Sequence, residues 1–186
     1  IENAEDSKDA AKIDLQKENL TENDFVIGIA ASGRTPYAIG AIEYAKEIGA
    51  KTGSIACNKD AKISSYADFP IEIETGAEVL SGSTRMKAGT ATKLVLNMIT
   101  TTAMIKIGKV YDNLMVDVKP TNEKLVDRAT KIISEISGCD YEKSNELLKD
   151  ANNNVKLAII MATKDVDYEK ASEILEKNKG FIREDL

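Results

Sequence analysis

The sequence has no histidine and only two cysteines among its 186 residues. Without histidine, imidazole metal sites and Ser-His-Asp triads are excluded, so any acid–base chemistry must come from carboxylates, lysine or tyrosine. Cys57 and Cys139 lie far apart and have no metal-ligand spacing. We therefore expect reduced, packed thiols of a cytoplasmic protein rather than a disulfide.

Long apolar runs and an excess of positive charge are also missing. No apolar run is long enough to cross a bilayer, and the polar first residues are not typical of a signal peptide. The net charge is −6, from 31 acidic and 25 basic residues, which argues against nucleic acid or an anionic membrane as a partner. The length suits one domain with a small appendage.

One stretch organises the chain: Phe25-Val-Ile-Gly-Ile-Ala-Ala-Ser-Gly-Arg-Thr-Pro-Tyr37. Its apolar start predicts a buried strand, and Thr35 with Pro36 predicts a helix N-cap followed by the first helical position. A strand that ends in small residues before a helix directs backbone N–H groups at one point, which suits an anion. Ser32, Gly33, Arg34 and Thr35 are therefore candidate ligands of a phosphate monoester. The alternative is a plain βα connection in which the hydroxyls only satisfy helix ends.

The neighbouring segments predict an α/β fold. A second strand over 51–58 and a third over 69–74, the latter with Pro70 near its start, extend the series to parallel βαβ units. Residues 1–17 predict a polar helix, roughly 84–107 a long apolar core helix, and 109–118 an extended segment. From Thr121 the chain predicts short charged helices that form a small bundle.

A second stretch of interest, residues 75–92, places a lone carboxylate, several hydroxyls and two cations in one strand-to-helix connection. The candidate substrate-binding residues here are Glu78, Ser81, Ser83, Arg85 and Lys87. Glu78 has two open interpretations: it contacts a substrate, or it caps the following helix or pairs with one of the cations. Arg85 and Lys87 serve a phosphate, a carboxylate or neither.

Several motifs occur in an order that resembles the N-acetylmuramic acid 6-phosphate etherases, bacterial enzymes of the sugar isomerase (SIS) fold. They include Gly28-Ile-Ala-Ala-Ser-Gly-Arg-Thr-Pro-Tyr37, Gly76-Ala-Glu-Val-Leu-Ser-Gly-Ser-Thr-Arg-Met-Lys-Ala-Gly-Thr-Ala91 and Gly108-Lys-Val-Tyr-Asp-Asn-Leu-Met-Val-Asp117. The resemblance covers essentially the whole chain, which is N-terminally short of the family's length. Asn3 and Asp112 stand where members often have Gly, and Lys59-Asp60 where Pro-Gly is usual.

The resemblance implies a flavodoxin-like three-layer SIS domain, here 1–118 with an incomplete parallel sheet, and a helical UBA-like domain at 119–186. It implies cleavage of the D-lactyl ether of N-acetylmuramic acid 6-phosphate, without metal or cofactor, in a cytoplasmic homodimer. Glu5, in the Ala-Glu-Asp-Ser motif, aligns with one of the family's two catalytic glutamates and is the expected base at C2. The other lies in a segment upstream of residue 1.

Two further functions fit the same ancestry. A regulatory SIS protein similar to the glucokinase regulatory protein binds sugar phosphates without turnover. An aldose–ketose isomerase yields a ketose and no lactate. Retention of the motif at Glu5 favours the etherase over the regulator. The sequence motif Ser81-Gly-Ser-Thr-Arg-Met-Lys87 argues against the isomerase.

Overall fold

A computed structural model describes residues 4–183 of the chain. It divides into two compact units, Ile1–Met98 and Ile99–Leu186. The predicted boundary between residues 118 and 119 remains a prediction. Each unit has its own apolar cluster.

The first unit is built on a three-stranded parallel sheet. Its strands are β1 (Phe25–Ile29), β2 (Lys51–Ala56) and β3 (Phe69–Glu72), in the order β1-β2-β3. Helix α2 (Pro36–Ile48) joins β1 to β2, so the predicted parallel βαβ unit and the α/β class are confirmed. The second strand ends at Ala56, two residues before the predicted end, and among residues 4–183 β3 pairs only with β2. Pro70 therefore lies in an edge strand, where its missing N–H breaks no ladder.

The predicted N-terminal helix is interrupted at Ser7. A single 3₁₀ turn, Ala4–Asp6, precedes α1 (Lys8–Lys17), and the Ser7 hydroxyl accepts the N–H of Ala10 as a side-chain cap. Helix α1 packs against α2. The core of this unit lies where α2 and a short 3₁₀ turn, Lys62–Ser65, cover the sheet. Its buried residues are Ala30, Ala38, Ile39, Ile42, Ala56, Ala61 and Ile63.

The long apolar helix departs from its prediction as a core element. Helix α3 spans Lys87–Lys106, but only Ala88 and Val95 of its residues are buried. Leu94 is 50% exposed and Met98 59% exposed. An apolar helix is buried only where another element covers it, and no described element packs extensively over this one.

The second unit is a small helical bundle preceded by a hairpin. The predicted extended segment forms two antiparallel strands, β4 (Val110–Tyr111) and β5 (Leu114–Met115). Four described helices follow: α4 (Glu123–Ser137), α5 (Tyr141–Asp150), α6 (Val155–Lys164) and α7 (Tyr168–Lys177). Asn or Asp caps the N-terminus of each, and the first six residues of α6 are buried. The predicted bundle is confirmed.

Candidate functional site

The candidate anion site lies in the loop 30–35, which connects the carboxyl end of β1 to the N-terminus of α2. In open parallel sheets, ligands bind outside the carboxyl ends of the strands. Thr35 is the N-cap residue and Pro36 follows it, as predicted, but the Thr35 hydroxyl makes no capping hydrogen bond. The first N–H groups of a helix have no intrahelical acceptor, so this helix end offers donors to an anion.

Gly33 gives the loop its shape. Its φ is +67°, and a Cβ atom built on it would lie 2.5 Å from the Cβ of Ala61. Its N–H donates to the carbonyl of Ala30 at 2.7 Å and closes a tight turn. Glycine is needed here both for the left-handed backbone and for the close approach of Ala61.

The other predicted ligands of this turn are accessible to solvent. Ser32 and Arg34 are exposed, and Thr35 is half-buried. The Ser32 Oγ accepts the N–H of Arg34 at 3.3 Å, which leaves the proton of this hydroxyl able to donate to a ligand. The structure therefore brings Ser32, Gly33, Arg34 and Thr35 together in one turn. Their contact with phosphate stays a prediction.

Glu78 is held at the start of α3. Its Oε2 accepts the N–H of Lys87 and its Oε1 accepts the N–H of Ala88, each at 3.1 Å. These backbone bonds, with that from Lys87 first, hold the pKa of the Glu78 carboxyl below its ordinary value. Of the two open interpretations, the structure gives Glu78 the geometry of a helix cap. A carboxylate already occupies this helix end, so we place no phosphate there.

The rest of this connection is open to solvent. Lys87 is exposed, and its Nζ donates to the carbonyl of Ala77 at 2.8 Å. Ser81 and Arg85 are exposed, and the half-buried Ser83 accepts the Arg85 N–H at 3.4 Å. Among them, Val79 is 88% exposed. Hydroxyls, cations and apolar side chains thus lie on one accessible loop, and which of them contacts substrate stays a prediction.

Glu5 lies exposed in the 3₁₀ turn before α1. This turn packs against α2, the helix that begins at the candidate anion site. Helix α1 is bound to α2 by the Lys8–Glu43 ion pair at 2.8 Å and by a 3.0 Å hydrogen bond from the Tyr37 hydroxyl to Asp14. Glu5 and the loop 30–35 are thus attached to the same helix. Their meeting around a substrate stays a prediction.

Sequence reasoning missed two polar residues that support the loop. The side-chain amide of Asn58, just after β2, donates to the carbonyl of Ser32 at 2.9 Å. Glu72, the last residue of β3, accepts the N–H groups of Asp60 and Ala61 at 3.0 and 2.9 Å. A signal was present, because polar residues at the carboxyl ends of neighbouring parallel strands converge on one edge.

Within residues 4–183, no group of three or more cysteine, aspartate or glutamate side chains is arranged to hold a metal ion. No helix over the same residues is both long and apolar enough to cross a membrane.

Comparison with known proteins gives two family matches. Residues 2–102 match the family described as SIS domain. Residues 112–156 match the family described as the C-terminal lid domain of glucokinase regulatory protein.

Individual relatives are similar along the full chain. A protein from an Exiguobacterium species named N-acetylmuramic acid 6-phosphate etherase is 59% identical over 186 residues, 100% of this chain and 63% of the relative. Proteins of the same name from Francisella philomiragia and Geobacillus thermodenitrificans are 60% identical over 182 residues and 58% identical over 186 residues. The chain spans about 63% of the length of these relatives.

Proposed function

The chain belongs to the SIS domain family, and from this we propose that it is the larger part of an N-acetylmuramic acid 6-phosphate etherase. The proposal depends on one observation above others, the 59% identity with a protein of that name over all 186 residues. The loop 30–35 supports it independently, because a turn that carries hydroxyls and leads into a helix N-terminus suits a phosphate monoester.

The proposed reaction is an elimination followed by hydration. Once the sugar ring opens, the proton at C2 is acidified by the neighbouring aldehyde, and Glu5 removes it. The electron pair forms the C2–C3 double bond and expels the lactyl oxygen at C3, which takes a proton from a second acid. Water then adds across the double bond, giving N-acetylglucosamine 6-phosphate and D-lactate. In this chain, which has no histidine, carboxylates perform both proton transfers.

In this proposal Ser32, Gly33, Arg34 and Thr35 bind the phosphate. The loop that carries Ser81, Ser83, Arg85 and Lys87 contacts the sugar or its lactyl carboxylate. Glu78 supports that loop by capping α3. The second acid comes from residues outside this chain.

We further propose that the protein works as a cytoplasmic homodimer. Cys57 and Cys139 are both free thiols, which suits a reducing compartment. The exposed apolar side chains of α3 offer a surface for a second copy. Sedimentation of the native protein tests the dimer.

A non-catalytic regulator is the second candidate, favoured by the match of residues 112–156 to the lid domain of the glucokinase regulatory protein. Incubating the native full-length protein with N-acetylmuramic acid 6-phosphate and measuring D-lactate separates the two. We expect more than one molecule of D-lactate to be released per protein molecule. Binding of the sugar phosphate with no lactate would overturn the etherase and support the regulator.

A further inference from the structure

Three successive carbonyls of the anion loop are each held by a donor from one neighbouring segment. The carbonyl of Ala31 accepts the N–H of Cys57, and the carbonyl of Gly33 accepts the N–H of Ile63, both at 2.9 Å. Between them, the carbonyl of Ser32 accepts the side-chain amide of Asn58, also at 2.9 Å. The middle contact is therefore the one of the three that a side chain supplies.

These contacts set the direction of the Ser32 side chain. A trans peptide is planar, so fixing a carbonyl fixes the whole plane, including the N–H of the next residue. Ser32 lies between two such planes, one held through the Ala31 carbonyl and the other through its own. Holding both planes fixes the Cα–Cβ bond of Ser32 and limits where its Oγ can lie.

The segment that supplies these donors is itself anchored. Glu72 at the end of β3 accepts the N–H groups of Asp60 and Ala61. Ala61 in turn is buried against Gly33. Asn58 thus lies in a segment that is held in place by hydrogen bonds and packing, although the residue itself is exposed.

We infer that Asn58 is a positioning residue of the sugar-phosphate site, which holds Ser32 so that its hydroxyl meets the phosphate. The inference rests on the proposed phosphate binding by the loop 30–35. It assigns Asn58 no contact with the reacting carbon. Its function is to donate to a carbonyl, which aspartate cannot do although its shape is the same.

The test measures the affinity of the full-length protein for N-acetylglucosamine 6-phosphate by calorimetry, with the unphosphorylated sugar as a reference ligand. Asn58→Ala and Asn58→Asp are each compared in two backgrounds, with Ser32 intact and with Ser32→Ala. Thr163→Ala is the control, because the exposed Thr163 hydroxyl also donates to a backbone carbonyl, that of Ile159 at 2.8 Å, within α6 of the other compact unit.

With Ser32 intact, we expect Asn58→Ala to weaken binding about 3- to 10-fold, the range of one net hydrogen bond, and Asn58→Asp to weaken it more. In the Ser32→Ala background, Asn58→Ala should change affinity less than twofold, because the hydroxyl it positions is gone. Thr163→Ala should leave the affinity for the sugar phosphate unchanged.

Equal weakening by Asn58→Ala in both backgrounds would overturn the inference, as would unchanged affinity. Lack of any binding by the unaltered protein would overturn it together with the phosphate site. The etherase proposal fails separately, since it is tested by lactate release: a protein that binds the phosphate but releases no lactate leaves the Asn58 result standing.

Discussion

Gly40 of α2 meets the backbone of Lys8 with no room for a side chain between them. A Cβ atom on Gly40 would lie 2.7 Å from both the Cα and the carbonyl oxygen of Lys8. Backbone atoms cannot rotate away as a side chain can, so this contact fixes how closely α1 approaches α2. The turn that carries Glu5 lies directly before α1 in the chain. The position of α1 therefore also sets the position of this turn.

Gly40→Ala should therefore destabilise the chain, by about 1–3 kcal/mol for overpacking, although alanine is the better helix former. Gly89→Ala on α3 is the control, because the nearest atom to its added Cβ, the Thr84 carbonyl oxygen, lies at 3.8 Å. There we expect a gain of up to about 1 kcal/mol from helix propensity. Urea unfolding measures both. A gain in stability from Gly40→Ala would show that α1 shifts without cost.

Glu5→Gln in the full-length protein should abolish exchange of the C2 proton with solvent deuterium while leaving sugar-phosphate affinity nearly unchanged. The amide keeps the shape of the carboxylate but cannot accept the proton. Exchange is followed by NMR and affinity by calorimetry. Asp6→Asn, next to it on the same exposed turn, is the control and should retain exchange. Near-normal lactate release from Glu5→Gln would remove Glu5 from the mechanism.

Glu78 should make stability depend on pH at the acid end. Its pKa is lowered in the folded chain, so its contribution is fully present above the ordinary value of about 4.5 and is lost as pH falls through the lower folded value. Several other carboxylates also have a lowered pKa in the folded chain, so they too contribute to the loss of stability at low pH. Glu78→Gln should therefore reduce stability at pH 7 and shrink, without abolishing, the difference in stability between pH 7 and pH 3. An unchanged difference would mean that the cap does not hold in solution.

Asp60 adopts a left-handed backbone, with φ +51°, at a position where the resembling family usually has glycine. A non-glycine residue there carries strain of about 1–2 kcal/mol, less for aspartate, while glycine costs about 0.5–1 kcal/mol of chain entropy. Asp60→Gly should therefore stabilise the chain slightly, by up to about 0.5 kcal/mol. Asp60→Ala should destabilise it, since alanine lacks aspartate's local hydrogen bonding. Thermal unfolding of Asp60→Gly and Asp60→Ala shows whether each substitution raises or lowers the melting temperature. Equal melting temperatures for the two variants would contradict backbone strain at this position.

The local parts of this fold were predictable from the sequence. The run from Phe25 to Ile29, the small residues after it and the Thr35-Pro36 pair define a strand, a loop and a helix start through short-range chemistry alone. The prediction that this strand is buried was wrong, since Phe25 is 52% and Ile29 44% exposed. The two departures Asp60 and Asp112 also mark real features, because both have positive φ. In each case the signal lies within a few residues.

What the sequence could not predict depends on partners distant along the chain. Asn58 supports Ser32 from 26 residues away, and Glu72 braces a segment 11 and 12 residues before it. Their place at the carboxyl ends of β2 and β3 was predictable, but the backbone groups that they bind were not. The burial of α3 was overpredicted for the converse reason: apolar composition indicates what a helix can bury, not what is present to cover it.

That open helix has a practical consequence for handling the protein. The α3 side chains of Leu94, Met98, Met104 and Ile105 are each at least 40% exposed. Sulfate and other strongly excluded salts raise the free energy of exposed apolar side chains, so added sulfate should favour their burial, either in the proposed dimer or in a precipitate. Dilute, low-salt solutions are the natural medium for measuring its affinities.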